Sequence, residues 1–156
     1  MRYLLILFIL TGCIQNPYEI KWDAVQERQP IIQGIKTPTF ETIKKVKAEV
    51  DSYEYKNDIN NFGISDYWAT PDEVKLKKAG DCEDFAIYEY YALRKEGFTK
   101  KDLTIWIANE AVWPYRPHAI LTVEFNNVKY VLDNEIPKPM PLESVKNRYQ
   151  LVHGLD

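Results

Sequence analysis

Cysteine, histidine and methionine each occur only twice in this chain of 156 residues, and glycine only six times. Two cysteines cannot build a disulfide-rich scaffold. There is no excess of positive charge, because 20 Lys and Arg face 23 Asp and Glu. A nucleic-acid binder, which neutralises phosphates with surplus Lys and Arg, is therefore disfavoured. Long apolar runs are also missing. Leu4 to Leu10 spans seven residues, far short of the ~20 that a membrane-crossing helix needs. Internal repeats and low-complexity segments are absent. Aromatic residues, by contrast, are plentiful, with 4 Trp, 11 Tyr and 6 Phe. Such ring area argues against disorder and supplies a core. A chain of this length fits one domain, which can bury roughly 68–70% of its unfolded surface.

The first residues read as an address. Arg2 carries a positive charge ahead of the apolar run, and Leu10-Thr11-Gly12-Cys13 follows it. That sequence resembles the lipobox of bacterial lipoproteins, in which the signal is cut before a cysteine that carries diacylglycerol. The expectation is a signal peptide over 1–12, a lipidated N-terminus and tether over 13–36 and one domain over 37–156. The resemblance implies export and acyl anchoring at Cys13, since several acyl chains hold a membrane stably where one is marginal. Ile14 in place of an inner-membrane-retaining Asp favours the outer membrane. Cys82 is then a single free thiol in an oxidising compartment, with no partner for a disulfide.

Residues 14–36 hold Pro17, Pro30 and Gly34 without sustained periodicity and read as irregular N-terminal wrapping. Phe40, Ile43, Val46, Val50 and Tyr53 recur at helical spacing, behind Thr37-Pro38 as a cap and first-turn proline. Asn57 to Ser65 is turn-rich. Thr70-Pro71-Asp72-Glu73 predicts a capping box and a short helix to about Lys78, ended by Gly80. Asp81 then caps a helix that begins at Cys82 and stops at Gly97. Strands are expected at Leu103–Ala108, His118–Phe125 and Val128–Asp133, the last two joined by Asn126-Asn127 in a two-residue type I′ turn. Pro137, Pro139 and Pro141 lead to a terminal helix near Leu142–Tyr149, and His153 reads as a surface residue. Trp68 reads as core or groove wall.

Within that hairpin residues 125 and 128 oppose each other, so Asp133 faces Ile120 and lies diagonal to His118 on the same face. The diagonal separation of ~7–8 Å lets an imidazole and a carboxylate meet. The expectation is that Asp133 accepts the Nδ1 proton and leaves Nε2 as a base. Cys82 opens a helix, whose N-terminus favours a thiolate and offers free N–H groups to an oxyanion. A nucleophile at a helix start, with His and Asp on adjacent strands, matches cysteine-nucleophile chemistry. Each residue alone also suits an ordinary structural role, as core thiol, strand-start histidine or turn aspartate.

Four motifs sharpen the reading: Tyr67-Trp68-Ala69-Thr70-Pro71, Gly80-Asp81-Cys82-Glu83-Asp84-Phe85-Ala86, His118-Ala119-Ile120-Leu121 and Val131-Leu132-Asp133-Asn134. Together they resemble the bacterial transglutaminase-like cysteine proteinase family. The resemblance implies an α+β papain/transglutaminase-like cysteine peptidase fold, with helices packed on a small antiparallel sheet. It implies Cys82 as nucleophile, His118 as base and Asp133 as its orienting partner. The family includes a periplasmic protease that clips a biofilm adhesin. A membrane-tethered endopeptidase acting on an exported or surface protein is therefore the leading expectation, and a regulatory inner-membrane protein is a partner that the resemblance allows. The chain departs from longer relatives in a compact segment between Gly97 and His118 and a reduced C-terminal extension around Asn147–Leu151. The same triad also suits a transamidase or a peptidoglycan amidase, and the cleft alone suits a non-catalytic peptide-binding lipoprotein module.

Asp81, Glu83 and Asp84 crowd carboxylates around Cys82, and like charges oppose thiolate formation. They are ordinary first-turn residues of a helix. They also suit a hard cation with oxygen ligands, such as Ca2+. In the adhesin-cleaving relative, acidic residues flanking the cysteine bind calcium, which implies Asp81 and Glu83 as metal ligands here. No organic cofactor is expected.

Overall fold

The computed structural model describes residues 15–111 and 115–156. The chain runs α1 (Pro17–Arg28), α2 (Phe40–Val50), β1 (Glu54–Tyr55), α3 (Asp58–Phe62), α4 (Pro71–Lys77), β2 (Ala79–Gly80) and α5 (Cys82–Lys95), and then turns to strands. β3 (Leu103–Glu110), β4 (Pro117–Phe125), β5 (Val128–Leu132), β6 (Met140–Pro141), α6 (Leu142–Val145) and β7 (Tyr149–Leu155) complete it. Five strands form one antiparallel sheet in the order β6-β5-β4-β3-β7, while β1 and β2 pair in parallel. The α+β expectation, helices on a small antiparallel sheet, holds. Cys13 and the lipobox lie outside the described residues, within which no helix is long and apolar enough to cross a membrane.

The local signals explain the segments around the site. Thr70 caps α4 in a capping box with Glu73, with Pro71 in the first turn. Lys78, not Gly80, takes the left-handed position that ends α4, at φ 49. Gly80 instead pairs with Tyr55 in β2. A Cβ on Gly80 would meet Asp84 Cβ at 2.8 Å, so glycine is what lets the strand lie against the first turn of α5. Asn126 and Asn127 both have positive φ, and Phe125 opposes Val128 as the hairpin register requires. Gly97 stops α5 at φ 101.

The main core lies between the helices and one sheet face. It contains Ile43, Val46, Ala86, Ile87, Tyr90 and Leu93 against Leu103, Ile105, Ala119, Leu121 and Val123. Ile120, Val131, Ile136 and Tyr149 form a smaller cluster with Leu142 and Val145 beside them. The sheet thereby holds α5 on one side and carries the alternate β4 residues toward the other.

Four segments differ from the sequence reading. Residues 17–28 are a helix rather than irregular wrapping: Asn16 caps it, and Trp22 and Val25 are buried in the core. Two buried positions are too few to show a period, yet Trp22 packs edge-on to Tyr90 and Tyr91. α2 is capped by Thr39, whose hydroxyl accepts from the Thr42 N–H, rather than by Thr37. A short helix, α3, interrupts the turn-rich stretch, capped by Asn57 and closed by Gly63 at φ 73. The terminal helix is shorter than expected, and the chain from Tyr149 becomes strand β7 on the open edge of β3. His153 lies within that strand, half-buried and stacked on Tyr18 at 6.2 Å. Trp68 is core, as expected.

Candidate functional site

β4 and β5 bring His118 and Asp133 together. His118 Nε2 lies 2.9 Å from Asp133 Oδ1, and both residues are buried. The nitrogen is the opposite one from that expected. The two residues sit diagonally, so the imidazole must extend its distal nitrogen to bridge the gap, and Nδ1 stays near its own backbone. β5 ends at Leu132 because Asp133 turns the chain: its Oδ1 accepts the Glu135 N–H at 2.8 Å and its carbonyl accepts the Ile136 N–H at 2.9 Å. Tyr149, which enters from β7, donates its hydroxyl to Asp133 Oδ2 at 2.5 Å and stacks on the His118 ring at 6.5 Å. Burial pulls the Asp133 carboxyl up, but the bonds from His118, Tyr149 and the Glu135 N–H outweigh it and hold it below the usual carboxylate range.

Cys82 is the first residue of α5, with Asp81 extended at the cap position before it. Its sulfur packs against the core cluster that holds Ala119 of β4, the residue after His118, whose backbone N–H favours the ionised sulfur. The thiol donates to Glu83 Oε2 at 3.1 Å, and among the described residues it makes no hydrogen bond to His118. Burial first, then Glu83 and Asp81, push the thiol well above its ordinary range, against the lowering effect of the Ala119 N–H. Without a cation on those carboxylates, these surroundings favour the protonated thiol. The arrangement thus brings the nucleophile candidate to the histidine's strand neighbour and the histidine to its aspartate.

The acidic flank is larger than the sequence suggested. One carboxylate oxygen each from Asp58, Asp81 and Asp84 lie within 4.8 Å of one another, as do those of Asp58, Asp66 and Glu83. Asp81, Glu83 and the Cys82 sulfur form a third such group. Asp84 is engaged, accepting the Ala69 N–H at 2.7 Å, and Asp58 accepts the Tyr67 N–H at 2.6 Å. The other oxygen of Asp58, Oδ1, is buried without a partner, and so is Asp81 Oδ1. Desolvation and mutual repulsion push Asp81 up to about 9, desolvation and Glu83 push Asp84 up to about 8, and the same causes push Asp58 up to about 6. Orphaned buried oxygens among repelling carboxylates are what a hard cation satisfies, and Ca2+ takes six to eight oxygens. The residues therefore fit a calcium ion, with Asp58 grouped with Asp81 in one set and with Glu83 in another.

Sequence reasoning missed Asp58, Tyr149 and Tyr55. Asp58 sits in a stretch that reads only as turns. Tyr149 falls at the end of the expected terminal helix, and nothing local says that its hydroxyl faces Asp133. Tyr55 is brought to the site by pairing with Gly80 and packs edge-on to Phe85 at 6.3 Å. Burial above all, with the charges of Asp81 and Glu83 nearby, pushes its hydroxyl up to about 12.

Comparison with known proteins identifies the family and the fold. The sequence profile of the bacterial transglutaminase-like cysteine proteinases matches residues 11–153. The structure is similar to that of LapG from Legionella pneumophila in its calcium-bound form, with a TM-score of 0.66 and 22% identity, covering 91% of this chain and 77% of that one. An EGTA-treated structure of the same protein gives a TM-score of 0.65 at 22% identity, over 91% and 75% of the two chains. No curated protein matches the chain in sequence.

Proposed function

The chain belongs to the bacterial transglutaminase-like cysteine proteinase family and is a cysteine peptidase, and from that premise we propose that it is an endopeptidase whose Cys82, His118 and Asp133 form the catalytic triad. The observation that carries this reading is the His118–Asp133 bond at 2.9 Å beside the strand position that touches the Cys82 sulfur.

His118 takes the Cys82 proton through Nδ1, since Nε2 is engaged by Asp133. The sulfur attacks the peptide carbonyl carbon and forms the C–S bond, and the carbonyl electrons move to oxygen. The N–H groups at the start of α5 are placed to hold that oxyanion. The C–N bond breaks as the imidazolium returns its proton to the leaving amine. Water, deprotonated by His118, then adds to the thioester, the C–S bond breaks and the sulfur regains the proton. Asp133 stays ionised throughout and orients the ring, with Tyr149 fixing Asp133.

The thiol bonded to Glu83 is the resting obstacle to this sequence. Asp58, Asp81 and Glu83 would hold Ca2+, which supplies positive charge to offset the carboxylates that keep the thiol protonated. The calcium-bound and EGTA-treated states of LapG support this assignment. The proposed substrate is an exported or surface protein, and the proposed location is the periplasmic side with a lipid anchor at Cys13, outer membrane favoured, supported by Leu10-Thr11-Gly12-Cys13.

The test is incubation of the purified chain with candidate surface proteins and with muropeptides, products being mapped by mass spectrometry. One internal cleavage of a protein is expected. Cys82→Ala and His118→Ala should each remove nearly all turnover, and the double variant should lose little more, because the pair acts as a unit. Cleavage of muropeptides alone, or undiminished turnover by Cys82→Ala, would overturn the reading.

A further inference from the structure

Four charged residues form a chain across the ends of the strands that carry His118 and Asp133. Arg116, two positions before His118, donates through Nε to Glu110 Oε2 at 2.7 Å, and its terminal nitrogen bonds Glu135 Oε1. Arg148 reaches the other Glu135 oxygen at 3.5 Å. Glu135 lies two positions after Asp133 and gives its N–H to Asp133 Oδ1 at 2.8 Å. Arg148 directly precedes Tyr149, whose hydroxyl bonds Asp133 Oδ2, and Glu110 is the residue paired with Tyr149 across β3 and β7. Backbone bonds tie the same points, from the Glu110 N–H to the Arg116 carbonyl and from the Ala111 N–H to the Arg148 carbonyl. The bond from Arg116 outweighs burial and holds the Glu110 carboxyl below the usual carboxylate range, so this pair is ionised at neutral pH.

We propose that Arg116 and Glu135 are positioning residues, a clamp that fixes the turn after β5 against the start of β4 and keeps Asp133 aligned with His118, for a catalytic use that rests on the peptidase reading. The β4–β5 register ends at Leu121 and Leu132, so His118 and Asp133 meet beyond the last paired residues of the two strands. The clamp closes that open end. A guanidinium suits the task, since its rigid planar fork holds two carboxylates at set angles where a lysine ammonium is a single point of charge. Stability alone gives the clamp little reason to exist: the side chain of Arg116 is 57% exposed and that of Glu135 30%, and ion pairs open to solvent contribute little.

The test reads the His118–Asp133 bond by NMR, without a substrate. The full-length chain grown with isotope-labelled histidine carries two labelled rings. The proton that His118 Nε2 shares with Asp133 gives a downfield imidazole signal, which Asp133→Asn identifies by displacing it. Arg116→Gln and Glu135→Gln should each move that signal upfield and speed its exchange with water about tenfold, and the double variant should do little more, because the two residues act as one unit. Arg116→Lys should fall between wild type and Arg116→Gln. Tm should drop by no more than about 4 °C in each. Lys146→Gln, which breaks an exposed ion pair with Glu143, should leave the signal unchanged. An unmoved signal in folded Arg116→Gln and Glu135→Gln, or an equal shift from Lys146→Gln, would overturn the clamp. If either glutamine variant melts below the assay temperature, Arg116→Lys decides: a shifted signal upholds the clamp and an unmoved one overturns it. On a peptide that the wild-type chain cleaves, Arg116→Gln should lower kcat about tenfold and change KM by no more than about twofold. Wild-type chain that cleaves nothing while the variants move the signal refutes the peptidase and leaves the clamp, whereas cleavage with the signal unmoved refutes the clamp and leaves the peptidase.

Discussion

Tyr149→Phe deletes one oxygen and leaves the ring that stacks on His118. The lost hydroxyl donates to Asp133 Oδ2 at 2.5 Å, and both residues are buried. A bond to a charged group of this kind contributes about 1.5–3 kcal/mol. Oδ1 keeps its bonds from His118 and the Glu135 N–H, so Asp133 stays in place while Oδ2 loses its protein donor. At roughly 2–4 °C per kcal/mol for a chain of this size, Tm should fall by about 3–12 °C at pH 7. The pH dependence fixes the cause. Asp133 is held below the ordinary carboxylate range, so its stabilising contribution is present above the unfolded-state pKa and is lost as pH falls through the folded value. Tyr149→Phe raises that folded value, and its deficit should be largest near neutrality and shrink in acid, where the carboxyl is protonated in both states. Calorimetric melts of both proteins from pH 3 to 7.5 measure this. An unchanged Tm at pH 7, or a deficit that grows toward acid, would refute the ionised, Tyr149-bound Asp133.

Calcium should raise Tm and EGTA reverse the rise, with about 2.7 kcal/mol expected at a concentration 100 times Kd. Asp58→Asn and Asp81→Asn should each weaken the response, and Ca2+ should accelerate iodoacetamide labelling of Cys82 where Mg2+ does so less; melts and labelling that ignore calcium would return these carboxylates to plain structural roles. Glu89 is buried on α5, and burial pushes its carboxyl up to about 8. Its folded value lies above the unfolded one, so stability is full below the unfolded pKa and declines by up to about 1.4 kcal/mol per pH unit as pH rises toward 8. Glu89→Gln should flatten that decline and gain Tm relative to wild type at pH 8 but not at pH 5, as chemical denaturation across the range will show.

Local chemistry made much of the site region legible. Capping residues and prolines act within one turn, so Thr70-Pro71-Asp72-Glu73 and Asp81-Cys82 mark their helices whatever packs on them. Two asparagines with positive φ force a two-residue turn, and the turn alone sets the register that aligns Asp133 with His118. What escaped depends on distant partners. α1 gains its stability from Trp22 against Tyr90 and Tyr91, some seventy positions away in sequence. β7 exists because β3 offers an open edge, and its register shift at Ile107 and Ala108 leaves no mark in the sequence. Asp58 reaches the acidic cluster through α3, a single short helix in a stretch where turn residues mask any pattern. The choice of Nε2 followed from ring reach, which residue spacing alone does not specify.

The proposed mechanism turns on a covalent bond from Cys82 to the carbonyl of the peptide it cleaves. Acid quenching of the chain during turnover of a mapped substrate peptide, followed by digestion and mass spectrometry, reads that bond directly. The Cys82 fragment should gain the mass of the N-terminal product as a hydroxylamine-labile thioester, and Cys82→Ala should show neither adduct nor product. Continued cleavage with Cys82 unmodified, or by Cys82→Ala, would contradict it.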